Sequence, residues 1–225
     1  MERFPFTSYD FWAYLSGGFL LLFAIDQAGA THLLMREQWT VIQGTIAVSI
    51  AYVVGQLVAS ASSLLLERLL IGRVLGYPRD VLFGRPKAPR WLRVLLPRYF
   101  ESLPESTKKA VMERGQKLGA ESGEELFSLA HASGRVKPAV ASRLDNFLNQ
   151  YGFCRNAAFV AYVDAAVFYW SYVQPNGPPD HLLWSRVALV IAIGMTLRYL
   201  KFIRHFAVEV FTSYAFANEE KKETT

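Results

Sequence analysis

A handful of ionisable side chains stand where ionisable groups are costly. Asp164 falls near the middle of an apolar stretch, Phe153–Tyr172. Arg198, Lys201 and His205 share one helical face near the end of another, between Gly194 and Glu209. Glu67 closes a third apolar stretch, and Arg155 opens the one that holds Asp164. A charge inside lipid faces protein or water, so such residues mark either ion pairs or a hydrated path. The spacing leaves both readings open. In the first, Glu67 pairs with Arg155 or Arg198 and pins helices together near the interface, where long side chains also snorkel. In the second, Asp164 and the Arg198–Lys201–His205 stripe line an aqueous path in an oligomer.

Other chemistry finds little footing. There is no Gly-rich phosphate loop, HExxH or GxSxG. The four histidines, His32, His131, His181 and His205, are spread along the chain and are not expected to converge on a metal. No cofactor is expected, and enzymatic activity is not. Arg198 and His205 have the Arg-x6-His spacing of some helical RNases, but the membrane end of a helix is a poor place for RNA. Nucleic acid is therefore not an expected partner. The single cysteine, Cys154, excludes an intrachain disulfide and fits a reducing face.

The elements that must position these groups are helices in a membrane. Apolar residues make up 52% of the chain and aromatics 14%, the latter clustering at the ends of apolar runs as an interfacial belt does. Four spans are expected: Phe11–Ile25, Val41–Leu66, Phe153–Tyr172 and Leu182–Phe202, the last continuing as an amphipathic helix towards Phe216. The first is short, so its helix should begin near Ser8, with Thr7 as a cap and Asp10 in the first turn. Along the second, small residues recur at every fourth position: Ala47, Ala51, Gly55, Ala59 and Ser63. In lipid, such residues are the usual device for close helix packing. Glu67 is the next member of the series.

Orientation follows from Lys and Arg. The connection between the first two spans offers only Arg36, and that between the last two, Val173–His181, has neither residue type. The chain from Arg68 to Arg155 holds most of the basic residues. Both termini and this middle segment are therefore expected in the cytoplasm, in a multi-pass protein of a bacterial-type inner membrane. The N-terminus lacks the cationic start and small-residue cleavage site of a signal peptide.

The expected organisation is a first transmembrane pair over 1–75, a helical cytoplasmic insert over 76–150, a second pair over 151–216 and a disordered tail over 217–225. Within the insert, Pro104 and Glu105 signal the start of a helix through Leu118. Ser122 is placed to cap a second helix that ends at Ser133–Gly134. A third runs from Pro138 into Gln150 and on towards the third span. Arg85, Lys87, Arg90, Trp91, Arg93 and Arg98 give a segment the composition of one lying on an anionic leaflet. A basic loop over the ends of the bundle has the same composition.

Four spans of this length enclose no transport cavity alone, and inverted repeats of broken helices are missing. The expected function is a homo-oligomeric channel, pore or membrane-perturbing effector controlled by the insert. The alternative is a non-conducting anchor or scaffold that recruits a cytoplasmic partner protein.

Overall fold

A computed structural model of the protein describes residues 11–120 and 123–216. The expected helix start at Ser8, its Thr7 cap and Asp10, the Ser122 cap and the tail from residue 217 lie outside the described residues. Every regular element among the described residues is helical.

A π-helical turn, Phe11–Leu15, leads into α1, Ser16–Ala28. The second helix, α2, spans Val41–Ser62 and begins with a capping box. There the Gln43 backbone N–H donates to the Thr40 hydroxyl, and the Thr40 N–H donates to the Gln43 side chain at 3.0 Å. From Ser63 to Leu75 the same rod is π-helical. Three short helices follow: α3 (Pro78–Val81), α4 (Arg90–Leu95) and α5 (Pro97–Phe100). Then come α6 (Glu105–Gln116), α7 (Gly123–Arg135) and two long helices, α8 (Pro138–Tyr172) and α9 (Asp180–Ala215). Pro104 occupies the cap position of α6, one residue earlier than a first-turn proline. Helix α7 ends at Arg135, one residue past the expected Ser133–Gly134 stop; Gly134 is buried, and a Cβ there would lie 3.2 Å from Leu144 and Val140.

Among the described residues one run, Val41–Val81, is long and apolar enough to cross a membrane; Ala13–Ala28 is apolar but shorter. Only 17% of the apolar stretch of the long run is buried. The helices holding the other two expected spans carry charge inside their apolar stretches, Arg155 and Asp164 in α8, Arg186 and Arg198 in α9.

Two compact units divide the chain. The first runs up to Glu67 and resumes over Gly152–Tyr199; the second comprises Arg68–Tyr151 and the chain from Leu200. Sequence alone groups residues 151–216 together, whereas the compact units part α9 between Tyr199 and Leu200.

The first unit has a small-residue interior and an apolar exterior. Ala51, Ala158, Ala161 and Ala192 are buried, while Leu20, Ile46, Leu57, Trp170, Val190 and Ile193 are exposed. The second unit differs in its interior, with a core of large side chains. Leu82, Val111, Leu126, Leu144, Phe206, Phe211 and Tyr214 form one buried cluster. The last turns of α9 supply its aromatic centre: Phe211 meets Phe83 and Phe127 with ring centroids at 5.0 and 5.6 Å. Arg114 stacks over the Tyr214 ring at 4.7 Å and donates to its carbonyl oxygen at 2.9 Å.

Candidate functional site

The first unit holds most of the groups singled out above. Its α1 and α2 touch backbone to backbone. A Cβ on Gly18 would lie 1.8 Å from the Ala51 carbonyl oxygen, and one on Gly55 would lie 2.0 Å from that of Tyr14. Neither position accepts any side chain, which is the close approach that small residues permit. Of the small-residue series, Ala51 and Gly55 are at the contact, whereas Ala47, Ala59 and Ser63 are half-buried at its flanks. Burial along α2 follows Ala51, Gly55, Val58 and Ser62. Four residues turn an α-helix somewhat past a full revolution, so a strict fourth-residue stripe drifts off a fixed face.

Further along the rod, a polar junction ties α2 and its π-helical continuation to α8. The Ser62 hydroxyl donates to Asn156 Oδ1 at 2.7 Å. Arg155 Nη1 donates to Glu67 Oε2 at 2.6 Å, and the Ser63 hydroxyl donates to the same oxygen at 3.3 Å. The structure thus joins Glu67 to Arg155, one of the two partners that sequence left open. Asn156 is fully buried, and its Nδ2 has no hydrogen-bond partner among the described residues.

Asp164 lies further along α8, on the face that carries Ala157, Ala161 and Phe168. Its Oδ1 is buried without a hydrogen-bond partner among the described residues. Elsewhere the α8–α9 pairing is polar in places. The Ser185 hydroxyl donates to the Ala165 carbonyl at 2.8 Å, and the Tyr162 and Thr196 hydroxyls are 3.3 Å apart. Arg198 is exposed, and Cys154 is buried.

Two clasps went unnoticed in the sequence. Asp26 Oδ1 accepts from the Thr31 hydroxyl and from the Leu33 N–H at 2.8 Å, while Oδ2 accepts from the Leu34 N–H at 3.0 Å. This carboxylate holds a loop in which Ala30 and His32 adopt positive φ. His181 Nδ1 and the Ser171 hydroxyl, both buried, are 2.9 Å apart and join the start of α9 to the end of α8. An aspartate or histidine next to a turn was a legible signal, but its partners are not.

Lys201 and His205 fall in the second unit with Glu209, apart from Arg198 in the grouping of the chain. His205 Nδ1 lies 2.7 Å from the Lys201 carbonyl, and its ring packs on Phe147 at 6.1 Å. Glu209 pairs with Arg143 at 2.8 Å. His131 stacks on Phe127 and contacts Phe206; burial and the nearby Arg135 push its pKa below the ordinary value, against the pull of Asp145. Burial likewise pushes the Tyr99 phenol up. Of the basic segment, Arg85, Lys87, Arg90, Trp91, Arg93 and Arg98 are all exposed. No group of three His, Cys, Asp or Glu among the described residues is arranged to hold a metal ion.

No protein-family model, curated protein or solved structure matches the chain.

Proposed function

We propose that the first unit is a four-span membrane domain that self-assembles in a bacterial-type inner membrane into a channel or pore, with the second unit in the cytoplasm controlling it. The apolar exterior of the first unit supports its embedding, since all four of its helices carry exposed large apolar side chains. The observation that carries a hydrated path is Asp164. A carboxylate with one oxygen buried and unpartnered is tolerated in lipid only if it is protonated, paired in an assembly or hydrated. Four helices of this size pack on themselves, so the path belongs to an oligomer. Control by the second unit has a covalent route, because α8 and α9 pass unbroken from one unit to the other.

The test is conductance of the purified protein in planar bilayers, beside a thermal melt. Asp164→Asn nearly preserves shape, so it should leave folding and assembly intact and change ion selectivity, since a ring of charge sets the field near the path. Arg198→Gln should shift selectivity in the opposite sense, because it removes a positive charge. An assembled wild-type oligomer that passes no current, with its cytoplasmic partners supplied, would end this reading and leave the anchor or scaffold.

A further inference from the structure

Between Gly84 and Glu101 the chain holds Arg85, Lys87, Arg90, Arg93 and Arg98 and no acid. In the midst of them, Trp91, Val94 and Leu95 are 65%, 81% and 68% exposed. Their i, i+3, i+4 spacing puts all three on one face of α4. That helix has no buried residue, so it adds nothing to the core of its own unit. A helix this short does not persist alone. This one is held from both sides. Ala88 before it is buried, and after it Tyr99 is buried with its hydroxyl donating to the Gly76 carbonyl at 2.8 Å. Arg93 folds back, donating to the Ala88 and Pro86 carbonyls at 2.9 and 3.2 Å. Its guanidinium therefore braces the loop, while no hydrogen bond or ion pair among the described residues engages Arg85, Lys87, Arg90 or Arg98.

We propose that α4 is a membrane-surface anchor: Trp91, Val94 and Leu95 seat in the headgroup–acyl boundary of an anionic bilayer, and Arg85, Lys87, Arg90 and Arg98 bind its phosphate headgroups. An indole flanked by cations and aliphatic side chains suits that boundary. The charge argues for anionic lipid and against a second copy of the chain, whose identical face would bring like charges together. Being rigidly presented, the three apolar side chains dock without first ordering a loop. The anchor does not depend on conduction and stands whether or not the first unit forms a path.

The experiment uses the full chain in nanodiscs with Cys154→Ser and an environment-sensitive fluorophore on Val94→Cys. In discs containing phosphatidylglycerol, the label should be quenched by doxyl-labelled lipid and shielded from aqueous iodide. Lipid quenching should be lost in pure phosphatidylcholine, at high salt, and in the variant with Arg85, Lys87, Arg90 and Arg98 changed to Gln. A label on Leu118→Cys, an exposed site of the same unit, should stay open to iodide throughout. A Val94 label open to iodide in anionic discs would overturn the anchor. So would a label shielded from iodide and lipid quencher alike, which would mean that protein covers the face. So would lipid quenching that ignores lipid charge and the four-fold variant.

Discussion

At the scale of single residues, the Glu67–Arg155 pair is the most consequential contact of the polar junction. Arg155 keeps 14% and Glu67 30% of its side chain exposed, so the pair is sheltered without being fully desolvated. Removing the carboxylate charge leaves a mostly buried guanidinium facing a neutral amide. Glu67→Gln should therefore destabilise the first unit by about 1–3 kcal/mol. A double-mutant cycle should show coupling to Arg155 and none to Arg198; additivity with Arg155 would mean that the pair contributes nothing. His131 makes a second prediction at this scale. Its folded pKa lies below the ordinary 6.5. As pH falls through the unfolded value, the unfolded chain takes up a proton that the folded chain refuses. Stability is thus full above that value and is lost as pH drops towards the folded pKa. Hydrogen-exchange protection factors over α6 and α7, with each amide's intrinsic rate divided out at each pH, should be lower at mildly acidic than at neutral pH. His131→Phe, which retains the stack on Phe127, should flatten that dependence, and an unchanged slope would assign it to another group.

At the scale of elements, the α1–α2 contact is the tightest feature of the first unit. Gly55→Leu has nowhere to place a side chain against the Tyr14 backbone, so the helices must separate. Leu57 points away from that face and is exposed, so Leu57→Phe should be tolerated. Thermal melts in detergent should separate the two variants; equal stability would contradict the contact. The presence of this helix and its packing chemistry were legible in the sequence, because small residues in an uncharged run have few other uses. The partner atoms were not legible, since Gly18 and Tyr14 lie in another element. The π-helical stretch from Ser63 was also hidden. Hydrogen bonding to i+5 instead of i+4 changes the phase of side chains, and no residue in SLLLERLLIGRVL announces it. Helix α8 was legible in two pieces, a helix from Pro138 into Gln150 and an apolar stretch from Phe153, whereas the structure runs them as one helix with Gly152 inside it.

At the scale of the molecule, the sequence describes a membrane part and an insert, and the structure regroups the chain at its end. Phe206, Val210, Phe211 and Tyr214 belong to the core of the second unit. Their amphipathic spacing was visible, but an apolar stripe does not say what it covers. Burial alone distinguishes it, since the same residues would suit a lipid-facing continuation. Of the candidate site, the sequence placed Glu67 level with Arg155 and Arg198 and left its partner open between them, a choice that the contact to Arg155 makes. The unit boundary between Tyr199 and Leu200 was not legible, because a shared stripe on one helix carries no information about where two compact units part.

The proposed first unit crosses the membrane four times, whereas among the described residues one run, Val41–Val81, is long and apolar enough to do so. Labelling of single cysteines by an impermeant maleimide in intact cells, on a Cys154→Ser background, decides it. Leu33, Ser106 and Asn176 are all exposed on the protein. Four spans place Leu33 and Asn176 outside and Ser106 inside, so the first two should react in intact cells and Ser106 only after permeabilisation. A single crossing over Val41–Val81 would instead leave Ser106 and Asn176 on one side and Leu33 on the other. That pattern would contradict the four-span unit and the path proposed within it.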